Sequence, residues 1–144
     1  MIKNKNMKKN FGRIICFVLI LIAANVGNIY SQAITLNSVE KSLVKSWRVY
    51  LTQYEGETEP VSVDEASVFT FSADHRWKKE VFNPKVIYNG SWKVDTAKMK
   101  LSMTWEEIFD DNTYQYNIKK LSDAELDIEP INSNSETMFM RPKE

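Results

Sequence analysis

The sequence predicts an all-β fold: a small eight-stranded up-and-down antiparallel barrel with one short N-terminal helix. Residues 47–141 contain eight short stretches in which apolar and polar residues alternate, the period of half-buried strands. Turn-forming residues separate these stretches about every 8–14 residues, a spacing typical of sandwiches and barrels. Short connections between consecutive strands favour a meander, and closing a meander into a barrel removes its exposed edges.

The first 33 residues have the pattern of a secretory signal peptide. Positions 1–13 hold five cationic residues and no acid, and 14–24 is a continuous run of apolar residues. Ser31-Gln32-Ala33 then offers small residues where signal peptidase cleaves. The apolar run is shorter than the about 20 residues of a membrane-spanning helix. We therefore expect a signal peptide at 1–33, cleavage after Ala33, a barrel domain at 34–144, and export to the periplasm or the extracellular space rather than a transmembrane protein.

Composition excludes several function classes for the predicted domain. The single cysteine, Cys16, lies in the leader, so residues 34–144 contain neither a disulfide nor a thiol nucleophile. The 19 basic residues equal the 19 acidic residues over the whole chain, but five of the bases belong to the leader. The predicted domain is therefore acidic, which is unfavourable for binding nucleic acid.

One helix precedes the strands. Apolar residues recur at helical spacing in 36–46, and Asn37 with Glu40 has the spacing of a capping box. The acidic stretch 55–65 is predicted to be a solvated loop. The predicted strands are 47–54, 66–72, 76–82, 86–95, 99–106, 113–121, 125–129 and 137–141.

The alternation also assigns faces to the strands. In the first strand Trp47, Val49 and Leu51 are expected to share the inward face. Gly90 lies inside the predicted strand 86–95, where a glycine usually marks a bend, a bulge or the close approach of another backbone.

Several short motifs carry a family resemblance. They are Trp47-Arg48-Val49, Phe69-Thr70-Phe71-Ser72-Ala73-Asp74, Gly90-Ser91-Trp92-Lys93-Val94, Leu101-Ser102-Met103 and Tyr116-Asn117-Ile118-Lys119-Lys120-Leu121-Ser122-Asp123-Ala124-Glu125-Leu126. In this order they resemble bacterial lipocalin-like domains of the Bacteroidetes type, over nearly all of 34–144. The resemblance implies a calycin-like barrel and, by analogy with true lipocalins, a small hydrophobic ligand. The chain has Lys45 where the first-strand Gly-x-Trp of lipocalins has glycine.

Five aromatic residues share the predicted inward faces: Trp47, Tyr88, Trp92, Trp105 and Tyr116. They are the candidate ligand-binding residues, because large rings with polar tips both line apolar cavities and hydrogen-bond a ligand's polar end. The alternative is that these rings simply fill the core.

Two positions in predicted turns bear on chemistry. His75 is the only histidine, and without a second histidine or a cysteine in the domain we expect no metal, no cofactor and no catalytic triad. We expect His75→Ala to leave stability and binding nearly unchanged. Asp95-Thr96-Ala97 resembles the motif that Bacteroidetes glycosylate on the hydroxyl, so Thr96 is a candidate O-glycosylation site.

Two functions remain open on the sequence. The first is an exported, non-enzymatic lipocalin-like protein that holds a small apolar ligand inside the barrel. The second is a barrel with a filled interior that serves as an interaction or structural module of the bacterial cell envelope.

Overall fold

The computed structural model describes residues 35–106, 112–131 and 135–144, and the predicted signal peptide lies outside these ranges. One helix, α1 (Ser38–Leu43), precedes nine strands. In chain order the strands are β1 (Ser46–Tyr54), β2 (Glu57–Pro60), β3 (Val68–Phe71), β4 (Arg76–Phe82), β5 (Lys85–Asp95), β6 (Lys100–Trp105), β7 (Thr113–Leu121), β8 (Leu126–Pro130) and β9 (Thr137–Pro142).

The sheet closes into an eight-stranded antiparallel barrel. From β3 to β9 each strand pairs with the next, and β1 pairs with β3 on one side. On its other side β1 pairs with β9, from Trp47 opposite Pro142 to Gln53 opposite Thr137. The predicted fold class is therefore confirmed, including the single helix, whose Asn37 side chain and Glu40 side chain form the expected capping box.

A short strand lies where the sequence predicted only a loop. β2 pairs with the end of β1 through a two-residue turn in which Glu55 (φ 50°) and Gly56 (φ 88°) both have positive φ. Two consecutive positive φ angles are typical of the tight turns that join hairpin strands. All four residues of β2 are exposed, so the strand lacks the apolar alternation by which a strand is recognised in a sequence.

The predicted inward position of Leu51 is wrong, and a bulge explains why. The register between β1 and β9 shifts between Val49 and Leu51. A bulge of one residue exchanges the two faces of the strand beyond it. Thr52 therefore lines the interior in place of Leu51, which lies outside the hydrophobic core.

Every barrel strand contributes buried residues to one core. The largest fully buried side chains include Trp47, Phe71 and Trp77, and Leu43 of α1 joins them. The rest of the core is Val49, Phe69, Trp92, Leu101, Met103, Tyr116, Ile118, Leu126, Ile128 and Met140.

The helix marks one end of the barrel. In an up-and-down meander alternate connections lie at alternate ends, so the β3–β4 and β7–β8 connections share an end. α1 contacts the first of these through Glu40 and His75, 3.1 Å apart, and Lys45 contacts the second through Asp123. We call this the α1 end and the other the opposite end.

Within the described ranges, no helix has the length and apolarity needed to cross a membrane.

Candidate functional site

A cavity of about 690 Å³ lies at the opposite end of the barrel and is open to solvent. It is bounded by β1, β4, β6, β7, β9 and the segment that joins β2 to β3. Its apolar wall is formed by Val49, Val61, Trp105, Tyr114, Tyr116 and Met138. The interior of the barrel is thus filled with side chains near the α1 end and hollow at the opposite end.

A chain of aromatic rings forms the boundary between the cavity and the core. Trp105 meets Trp77, Tyr88 and Tyr114 edge to face, with ring centroids 5.0, 4.8 and 5.9 Å away. Such edge-to-face contacts are favourable beyond the area they bury. Trp105 is therefore held in a fixed orientation with one side toward the cavity, as a ligand-binding ring needs to be.

Tyr116 supplies a polar tip in the same wall. The residue is only 8% exposed. Burial raises the pKa of the Tyr116 phenol, and neighbouring Tyr114 raises it further. The hydroxyl thus stays protonated at neutral pH and is able to donate a hydrogen bond.

Lys79 of β4 is the cation of the cavity. It is half-buried on the inner face, and its Nζ lies 5.2 Å from the centre of the Phe69 ring. Burial lowers the pKa of the Lys79 ammonium. Glu65 and Glu136 also line the cavity but are exposed, and Glu65 accepts a hydrogen bond from Ser62 at 3.1 Å. Among its described residues the site therefore combines apolar walls, hydroxyl groups and one half-buried cation.

The structure divides the five predicted lining residues into two groups. Trp105 and Tyr116 border the cavity. Tyr88 is half-buried behind Trp105 and does not border it. Trp47 and Trp92 are buried in the core toward α1 and also lie away from the cavity.

The two core tryptophans have structural hydrogen bonds. The Trp47 indole donates to the Leu43 carbonyl at 2.9 Å, which ties α1 to β1. The Trp92 indole lies 3.1 Å from the Arg76 carbonyl, at the start of β4, and 3.2 Å from the Ser72 carbonyl, directly after β3. For these two residues the arrangement is that of core packing.

Lys79 is the site residue that the sequence reasoning missed. The sequence did indicate an inward position, because alternation in 76–82 places Lys79 on the same face as Trp77. A lysine in a strand is normally assigned to the solvent side, since charged residues are seldom buried without a partner. Thr52 was missed for a different reason, the bulge in β1.

His75 and Thr96 are placed in turns, as expected. His75 adopts a positive φ of 62°, and its ring packs on Trp92 with centroids 4.8 Å apart. Burial acts to raise the pKa of its partner Glu40, but hydrogen bonds from Asn37 and His75 outweigh burial and lower it. Thr96 is exposed in the β5–β6 connection, and its glycosylation stays a prediction. Across the described residues, no group of three or more His, Cys, Asp and Glu is arranged to hold a metal ion.

Comparison with known proteins finds similarity in structure. No family model and no curated protein sequence matches the chain. A lipocalin-like protein from Bacteroides uniformis ATCC 8492 superposes with a TM-score of 0.56 at 13% identity, covering 71% of this chain and 99% of that one. A second Bacteroides uniformis protein, solved by NMR, gives 0.54 at 22% identity and covers 73% and 93%. An uncharacterised protein from Bacteroides eggerthii DSM 20697 gives 0.54 at 13% identity and covers 69% and 98%. The chain therefore has the lipocalin-like barrel fold, and the resemblance carried by its sequence motifs is confirmed at the level of the fold.

Proposed function

We propose that this chain is an exported, lipocalin-like binding protein that holds a small apolar molecule at the mouth of its barrel, without catalysis. The observation that carries the proposal is the cavity of about 690 Å³ beside Trp105 and Tyr116. Small-molecule sites in proteins typically measure about 300–1,000 Å³ and are lined mainly by hydrophobic and aromatic side chains. The cavity fits this description in size, and its wall combines hydrophobic and aromatic side chains with polar ones.

The two halves of the barrel have complementary roles in this proposal. The packed half, with Trp47, Phe71 and Trp92, supplies the stability of the fold. The hollow half then leaves Trp105 and Met138 partly uncovered for a ligand, at a position that a rigid scaffold holds in place.

The second candidate, a filled barrel that acts as an interaction or structural module of the envelope, is supported by the tight packing near α1. It predicts that the cavity takes up no apolar molecule. The cavity at the opposite end favours the first candidate.

Export is proposed from the leader. The cationic start, the apolar run 14–24 and Ser31-Gln32-Ala33 support removal of residues 1–33 during secretion. N-terminal sequencing of protein recovered from the periplasm or the medium tests this, and a mature chain that still begins at Met1 contradicts it.

A neutral probe tests ligand binding directly. N-phenyl-1-naphthylamine fluoresces when it enters an apolar site, so the purified protein should raise its emission in a saturable manner. Thr52→Trp fills the cavity from the inner face of β1 and should weaken probe binding at least about tenfold, the effect of losing about 1.4 kcal/mol of contact energy. Ser67→Phe, from the β3 side, should act in the same direction.

The matched control is Lys93→Trp, which adds the same ring to the exposed outer face of β5. It should bind the probe as the parent does. Thermal unfolding of each variant separates loss of the site from loss of the fold. Equal probe binding by the parent, Thr52→Trp and Ser67→Phe, or no binding by the parent, would contradict a ligand site in this cavity.

A further inference from the structure

Lys79 is in an unusual position for a lysine. It lies on the inner face of β4 between Phe69 of β3 and Tyr88 of β5, its two cross-strand partners. Its neighbour Lys78 points outward and pairs with Glu80 at 3.4 Å. The two lysines thus have different surroundings: Lys78 faces solvent beside an acid, and Lys79 faces the cavity.

The charge of Lys79 is not neutralised within the described part of the chain. None of the ion pairs there includes it, and its one described contact is with the Phe69 ring. A half-buried cation without an acid loses hydration that no opposite charge replaces, and the lowered pKa of Lys79 reflects this loss. An anion placed beside Nζ would restore the missing interaction.

The rest of the cavity has the features that such an anion would need. Thr52 and Ser67 place hydroxyl groups in the same cavity, and these donate hydrogen bonds to oxygen atoms. Trp105, Tyr114 and Met138 present an apolar surface beside them. A ligand that satisfies both regions has an acidic head and an apolar tail.

We propose that the ligand is an amphipathic carboxylic acid, an alkyl-chain acid whose carboxylate binds the Lys79 ammonium while its tail lies against Trp105 and Met138. This inference rests on the proposed binding function and adds the class of ligand. Lys79 is its specificity-determining residue, because an ammonium–carboxylate hydrogen bond forms only with the acid.

The two acids among the described residues of the cavity do not reverse this preference. Glu65 and Glu136 are exposed, so water and salt screen their effect on a ligand. Lys79 is half-buried, where the same charge interacts more strongly because the surrounding dielectric is lower. A ligand with an amine head would instead be drawn to the two glutamates, and the experiment includes one.

The experiment compares three heads on one tail. Dodecanoic acid, dodecanol and dodecylamine are each titrated at neutral pH against the purified protein loaded with N-phenyl-1-naphthylamine, and displacement of the probe gives their dissociation constants. We expect the acid to bind about tenfold or more tightly than the alcohol, the range of one charge-assisted hydrogen bond. Lys79→Met, which keeps the length of the side chain and removes its charge, should abolish this preference while the alcohol still binds.

Two variants act as controls. Lys78→Met removes the same charge from the outer face of the same strand and should leave the preference for the acid intact. Lys79→Arg keeps the cation and should retain the preference for the acid over the alcohol, which a purely structural role of Lys79 would not predict.

The possible outcomes separate the ligand class from the proposed function. The role of Lys79 is overturned if acid and alcohol bind equally, if Lys79→Met retains the preference for the acid, or if the amine binds best. In each of these cases the cavity remains a binding site. If none of the three displaces the probe although the probe itself binds, the alkyl-chain ligand is overturned and the proposed function stands. If the probe does not bind, both fail.

Discussion

The histidine side chain adds a polar contact between the helix and the barrel. The Nε2 atom of His75 lies 3.1 Å from the Glu40 carboxylate of α1, and its ring packs on buried Trp92. The sequence showed His75 only as the lone histidine of a turn and predicted that its removal would matter little. The contact with Glu40 spans 35 residues of chain, so local sequence does not reveal it.

His75→Ala is expected to lower the free energy of unfolding by about 1–2 kcal/mol. The variant loses one charge-linked hydrogen bond and the packing on Trp92. Alanine also tolerates the left-handed backbone at this position less well than histidine does. Chemical denaturation measures the change, and a double-mutant cycle with Glu40→Ala isolates the part that belongs to the pair.

Thr96→Ala is the control for this prediction, because Thr96 is an exposed residue of another turn at the same end. It should change stability by less than about 0.5 kcal/mol, as ordinary surface substitutions do. A change equally small in His75→Ala would restore the expectation drawn from the sequence.

At the scale of elements, Gly90 determines how β4, β5 and β6 pack. The Trp77 indole of β4 crosses over Gly90 and donates to the Thr104 carbonyl of β6 at 3.2 Å. A Cβ atom on residue 90 would lie 2.0 Å from that carbonyl oxygen and 2.6 Å from the indole nitrogen. Of the explanations that the sequence left open for this glycine, the close approach of another backbone is the one that the structure shows.

Gly90→Ala is therefore expected to destabilise the barrel by about 1–3 kcal/mol or more, the usual cost of forcing an atom into a packed core. Because Trp77 lies against Trp105, the displacement should also disturb the cavity wall and weaken binding of the neutral probe. Chemical denaturation and the probe titration measure the two effects on one sample.

Gly56 provides the contrast, since its φ is 88° and a Cβ there would meet nothing within 4 Å. Its replacement by alanine costs backbone strain alone, and asparagine, which tolerates the left-handed region, should recover part of the loss. At residue 90 asparagine should be at least as harmful as alanine. If asparagine rescued Gly90 as well, backbone conformation and not crowding would be the cause there.

At the scale of the whole molecule, the sequence predicted whether a residue faces the interior of the barrel. It did not predict the height of that residue, meaning its position along the barrel axis. Alternation correctly assigned Trp47, Trp92, Trp105 and Tyr116 to the interior, because it depends only on neighbouring residues. Height depends on the register of all eight strands and on the shear of the closed barrel. Two of the five predicted residues therefore line the cavity, and Trp47 and Trp92 lie in the core instead.

Closure itself was predicted only in general terms, because the pairing of the first strand with the last joins residues that are far apart in sequence. Because β1 and β9 pair in the described residues, neither strand leaves an open sheet edge at this seam. The pairing also brings Arg141 of β9 over the Tyr50 ring of β1, at 4.0 Å from the ring centre. A covalent crosslink placed across this seam tests the closure.

Arg48 of β1 and Arg141 of β9 are direct cross-strand partners. Opposed residues in an antiparallel pair have Cα atoms about 4.5–5.5 Å apart, within the range of a disulfide. In a Cys16→Ser background, Arg48→Cys with Arg141→Cys should therefore oxidise readily. The bond would enclose most of the barrel, and the entropy it removes from the unfolded chain should raise stability by up to about 4 kcal/mol, less what the lost Arg141–Tyr50 contact contributed. Thermal unfolding with and without reductant measures the gain.

The control is Arg48→Cys with Lys93→Cys, which places the second cysteine on β5, a strand that does not pair with β1. This pair should stay reduced under the same conditions. A seam pair that oxidised no faster than this control would mean that β1 and β9 do not meet in solution.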